Sequence, residues 1–144
     1  MTSRILIDEF LSHRNFALVR LSRATPVRGV KLDTQMPKGY SVAVAYLEET
    51  DPALKISGVK GKVDGAIIAV PSNKCEAAVG EAIQAGISRL WLQPGSESAA
   101  AIAFCESKGI PVVSDACILM YLEPVKSFHA FHRWLWKRFG RYVK

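Results

Sequence analysis

Between Val63 and Val113 the chain alternates strand-length apolar runs with helix-length segments: VDGAIIAVPS, EAAVGEAIQAGI, SRLWLQPG, ESAAAIAFCESKGI and PVV. Strands joined through helices return in the same direction, so this stretch predicts parallel pairing in a layered α/β sheet. An open parallel sheet binds its ligands outside the carboxyl ends of its strands, in the loops that follow them. The search for function therefore starts at those loops.

A chain of 144 residues, 49% of them hydrophobic, is the size of one ordinary domain with a buried core. No apolar run reaches membrane-spanning length, and Ile5–Leu11 contains Asp8 and Glu9, which a signal peptide core would exclude. The expected setting is the cytoplasm, without a transmembrane segment. Cys75, Cys105 and Cys117 are odd in number and widely spaced, the pattern of reduced thiols rather than of a disulfide framework or a four-cysteine zinc site. The net charge of +6 is confined to the end of the chain: Lys126, Arg133, Lys137, Arg138, Arg141 and Lys144 face no acid there, and the 13 remaining basic residues balance the 13 acidic ones. A basic stripe steers any anion, so this charge alone does not make nucleic acid the expected partner.

Along the chain, Ile5–His13 reads as a short helix, Asn15–Leu21 as the first buried strand, Gly29–Met36 as a short helix ending before Pro37, and Ser41–Leu47 as the next strand. Glu48–Lys62 is polar and punctuated by Gly and Pro, a loop with a minor strand expected around Ile56–Val59. Pro71 stops the central strand Val63–Val70, and Ser72 or Asn73 is placed to cap a helix whose apolar face is Ala78, Val79, Ala82 and Ile83. Gly86 closes that helix; Arg89–Leu92 is a strand, Gln93-Pro94-Gly95 a turn, and Ser96 the start of the following helix. Lys108-Gly109 ends it before the strand Ile110–Val113.

The stretch Val63–Met120, with Val70-Pro71, Leu92-Gln93-Pro94-Gly95-Ser96-Glu97-Ser98 and Cys117-Ile118-Leu119-Met120, resembles the small stand-alone CoA-binding proteins of the Rossmann class. These are similar to the nucleotide-binding domain of succinyl-CoA synthetase alpha subunits and ADP-forming acyl-CoA synthetases. Glu123–His129 and Phe131–Trp134 resemble a carboxy-terminal extension found in some of them. The likeness is good over roughly the last 80 residues and weak over the first 60. It implies CoA or acyl-CoA as ligand.

The departures fall where binding chemistry belongs. The family carries a Val-Gly-x-Ser loop after its first strand, letting backbone and helix N-terminus approach the CoA diphosphate. Here that loop reads Val19-Arg20-Leu21-Ser22-Arg23, and Tyr46-Leu47 replaces the family's Asn-Pro pair. By the resemblance, Ser22, Arg23 and Gly29 belong to the phosphate side of the site, Pro71 and Ser72 to the adenine or ribose side, and Gln93 and Gly95 to the next crevice loop. Two readings of Arg20 stand: its bulk blocks a close-approaching phosphate, or it turns outward and joins Arg23, Arg28 and Lys31 in replacing backbone donors by charged ones. Pro71-Ser72 and Gln93-Gly95 each also read as plain turn and cap residues. Cys117 reads as a buried apolar residue before it reads as a reactive thiol, and Asp115 as a turn residue before a base.

No catalytic set is expected. His13, His129 and His132 lie outside the crevice, and there is neither a P-loop nor a metal-ligand spacing. The synthetases that this domain resembles do phosphoryl chemistry with a histidine from a further domain. From Ser127 to Tyr142, Phe128, Phe131, Leu135 and Phe139 recur at helical spacing among basic residues, predicting an amphipathic helix that docks on the sheet or on a second subunit, or meets an anionic surface. The expectation is a three-layer Rossmann-like α/β domain over residues 1–125, with about five mainly parallel strands, and a basic helix over 126–144 in the same compact unit. Its expected function is non-catalytic binding of CoA or a related nucleotide, weakened by Arg20. The alternative is a degenerate relative that serves as an interaction or structural protein, including a homodimer, through its carboxy-terminal helix.

Overall fold

The computed structural model describes residues 3–24, 32 and 36–121. Gly29, most of the helix expected over Gly29–Met36, and the expected basic helix after residue 126 lie outside the described residues. Five strands, β1 (Asn15–Arg20), β2 (Ser41–Tyr46), β3 (Gly65–Ile68), β4 (Leu90–Leu92) and β5 (Val112–Val113), form one sheet in the order β2-β1-β3-β4-β5. Every neighbouring pair is parallel. The helices are α1 (Arg4–Leu11), α2 (Cys75–Gln84) and α3 (Ala99–Ser107).

The strands read as continuous apolar runs because both faces of the sheet are covered. All of β3 and β4 is buried, and alternate side chains feed two cores. Ala17, Val19, Ala66, Ile68, Leu90 and Leu92 point toward α2 and α3, where Ala78, Val79, Ala82, Ala101 and Cys105 meet them. Phe16, Leu18, Ile67 and Trp91 point the other way, toward Ile7 and Phe10 of α1 and toward Ala116–Tyr121. That second core is aromatic: Phe10 stacks on Phe16 at 4.8 Å between ring centroids and meets Trp91 edge-on at 5.4 Å. The Trp91 indole N–H donates to the Ala116 carbonyl at 2.8 Å, so the buried ring leaves no polar atom unpaired. Layers of helix, sheet and helix with their own cores make the expected α/β architecture.

Three local expectations are corrected. Ile56–Val59 is not a strand: the chain crosses from β2 to β3 through two 3-10 turns, Pro52–Leu54 and Ile56–Gly58. β1 lies between those two strands, so the connection crosses the face of the sheet rather than adding a strand to it. Ile56 is pressed into the core instead. Neither Ser72 nor Asn73 caps α2: a 3-10 turn, Ser72–Lys74, leads into it without a side-chain cap. α3 starts after Ser98, not at Ser96, because the Ser98 hydroxyl accepts from the Ala101 N–H at 3.3 Å. Gly86 and Gly109 take positive φ, +88° and +68°, at the two equivalent helix-to-strand turns.

Candidate functional site at the carboxyl edge of the sheet

In the order β2-β1-β3-β4-β5 the connections reverse direction between β1 and β3, the place where an open parallel sheet forms a ligand crevice beyond the carboxyl ends of its strands. Hydrogen bonds carry the parallel ladder past the strands themselves. The Ala69 N–H donates to Val19 O at 2.9 Å, Gln93 N–H to Ile68 O at 3.0 Å, Leu47 N–H to Arg20 O at 2.8 Å and Glu48 N–H to Leu21 O at 2.8 Å. The loops after β1, β2, β3 and β4 are thereby held side by side.

Six of the seven residues singled out from the sequence are brought to this edge: Ser22 and Arg23 after β1, Pro71 and Ser72 after β3, and Gln93 and Gly95 after β4. The seventh, Gly29, is outside the described residues. Arg20 ends β1 opposite Tyr46 of β2 and is half-buried. Arg23 is exposed, and its backbone N–H and its Nε–H both donate to Glu49 Oε1, at 2.9 and 3.4 Å. Pro71 and Ser72 are exposed, and the Pro71 carbonyl accepts from the Lys74 N–H at 2.8 Å. Lys74 Nζ lies 3.8 Å from Glu48 Oε1, which ties the β3 loop to the β2 loop.

Gln93 is buried, and its side chain is committed within the protein. Its Oε1 accepts from the Ile118 N–H at 2.9 Å, and its Nε2 donates to Cys117 Sγ at 3.6 Å. The two sequence motifs Leu92–Ser98 and Cys117–Met120 are therefore one structural unit, clamped through this amide. Pro94-Gly95 supplies the turn: Gly95 has φ +91°, and the Ser96 N–H closes on Gln93 O at 2.9 Å. The Gly95 N–H donates to Glu97 Oε2 at 2.8 Å. Burial pushes the Cys117 thiol up despite hydrogen bonds from the Leu119 N–H, the Gln93 side chain and the Met120 N–H, so it stays protonated. Asp115 has φ +57°, a turn residue in the left-handed region.

Glu49 and Glu97, which hold loop N–H groups, escaped the sequence reading. For Glu97 a signal existed, a carboxylate two residues beyond a glycine turn; for Glu49 none did, since only the extended ladder sets it beside Arg23. His13 lies at the opposite end of the sheet, with its Nε2 3.1 Å from Glu9 Oε1. A cavity of about 550 Å³ also opens at that end, between Leu11, Arg14, Lys38, Tyr40 and Tyr121. It shares no residue with the crevice loops. Among the described residues no cluster of His, Cys, Asp or Glu is arranged to hold a metal ion, and no helix is long and apolar enough to cross a membrane.

Residues 36–123 match the sequence model of the CoA binding domain. The chain belongs to the CoA binding domain family. The family match takes in β2 to β5 with the loops of Pro71, Ser72, Gln93 and Gly95, and begins after the loop of Ser22 and Arg23. Among solved structures, a conserved hypothetical protein from Pyrococcus furiosus is 28% identical, with 74% of this chain and 97% of that one covered and a TM-score of 0.57. Prb, a protein redesigned for binding, is 20% identical over 82% of this chain and 87% of its own, with a TM-score of 0.64. A hypothetical protein from Pyrococcus horikoshii OT3 is 15% identical over the same shares, with a TM-score of 0.59. The last two likenesses are of fold. No curated protein matches the chain.

Proposed function

We propose that the chain is a non-catalytic module that binds CoA or acyl-CoA in the crevice between the loops after β1 and β3. The observation that carries this reading is the family match falling on a sheet whose direction reverses at that crevice. The disposition of the reactive groups among the described residues supports a non-catalytic reading. Cys117 is buried and protonated, Asp115 serves a turn, and His13 is bonded to Glu9 at the far end of the sheet. We infer that Arg20 weakens binding: it ends β1, and in the family that this loop resembles a glycine there lets a diphosphate approach the backbone.

Isothermal titration of wild type and Arg20→Gly with CoA, acetyl-CoA and ADP tests this. Wild type is expected to bind CoA weakly and Arg20→Gly roughly tenfold more tightly, about 1.4 kcal/mol. If neither protein binds any of these ligands at about millimolar concentration, an affinity below ~4 kcal/mol, the proposal fails.

A further inference from the structure

Two loops of the crevice present backbone N–H groups of the kind that receive phosphate oxygens, and a carboxylate of the chain already sits on each. After β1, Glu49 Oε1 takes both the backbone N–H and the Nε–H of Arg23. After β4, Glu97 Oε2 takes the N–H of Gly95. Glu49 is not a loose surface acid. The Leu47 and Glu48 N–H groups continue the β2–β1 ladder and carry the next residue alongside Arg23. The Glu49 side chain is 18% exposed while that of Arg23 is 63% exposed, so the acid is the sheltered member of the pair.

Resting on the proposed CoA site, we infer that Glu49 is the residue that sets the affinity of this crevice for phosphate, by competing for the same Arg23 donors. A phosphate oxygen approaching the loop after β1 meets a negative charge where it needs donors. It has to displace the Glu49 carboxylate from both. Glu97 does the same on a smaller scale, holding one N–H instead of two groups. Glutamine at position 49 keeps the shape and an accepting oxygen but removes the charge, so it holds the loop without repelling the ligand.

Titration calorimetry of wild type, Glu49→Gln and Glu97→Gln with CoA and with inorganic pyrophosphate separates this role from a purely structural ion pair. Glu49→Gln is expected to bind both ligands about three- to tenfold more tightly, the scale of a partly exposed ion pair. Glu97→Gln is expected to gain less. In the wild-type protein, which needs no substitution to be tolerated, saturating CoA is expected to shift the Arg23 amide and Nε–H resonances in step with binding. Binding of CoA to wild type with equal or weaker binding to Glu49→Gln, or without movement of the Arg23 signals, overturns the role of Glu49 and leaves the CoA site standing. Failure of wild type, Glu49→Gln and Arg20→Gly alike to bind CoA overturns both.

Discussion

Glu9 shows how a single carboxylate fastens elements far apart in the chain. It leaves α1 to meet Arg89 Nε at 2.7 Å, just before β4, and His13 Nε2 at 3.1 Å, while Arg89 Nη1 reaches the Asp64 carbonyl at 3.5 Å. Partial burial raises the Glu9 pKa, but the Arg89 hydrogen bond, the His13 hydrogen bond and their positive charge outweigh it and hold the group below its ordinary value. A carboxyl depressed in the folded state contributes stability above its unfolded pKa and loses it as pH falls through the folded one. Glu9→Gln is expected to cost about 1 kcal/mol or less near neutral pH, since the side chain is 40% exposed and solvent screens the pair. Urea melts of the two proteins are expected to converge under acid conditions below the carboxylate range. A gap that persists unchanged into acid would show that the Glu9 charge is not what matters.

At the scale of elements, the crossover from β2 to β3 is the least conventional part of the fold. Two 3-10 turns take the place of a helix there, and they fold tightly on each other: a Cβ added at Gly58 would lie 2.3 Å from the Pro52 carbonyl oxygen. That contact is with backbone, which cannot swing aside. Lys55 secures the same segment, donating from Nζ to the Leu47 carbonyl at 3.0 Å and pairing with Glu81 of α2 at 3.3 Å. Gly58→Ala is therefore expected to destabilise the domain by about 1–3 kcal/mol, read as a lower urea midpoint. An unchanged midpoint would mean the turns can part without cost. This segment is also one whose conformation the sequence leaves open. The strands were legible because Val63–Val70 and Arg89–Leu92 are apolar runs bounded by turn residues. Ile56 and Val59 are only a spaced apolar pair, equally suited to a short strand or a turn. The start of α3 falls at Ser98 rather than at the expected Ser96, since the two serines are chemically alike and geometry alone selects Ser98. At the site, the loops were legible from strand order and motif. The Gln93 clamp to Cys117 and Ile118, and the Glu49 bond to Arg23, join residues 24–26 positions apart in sequence, which no local pattern reveals.

The whole molecule is polarised along its strands. At the amino ends, Glu9, His13, Arg89, Asp64 and Asn15 form a hydrogen-bonded network that pins α1 to the sheet. At the carboxyl ends, the loops of four strands converge without a catalytic constellation among the described residues, and the family match covers three of those four loops. One end is fastened, and the other is the proposed binding edge. The central claim, that CoA occupies the carboxyl edge, is tested most directly by titrating the isotope-labelled protein with CoA and following each backbone amide. The account predicts shifts confined to Leu21–Ala24, Leu47–Glu49, Ala69–Lys74 and Gln93–Ser98, with Arg14, Gly39 and Tyr40 at the opposite end unmoved. Shifts centred on those three residues, or none at all at millimolar CoA, would contradict it.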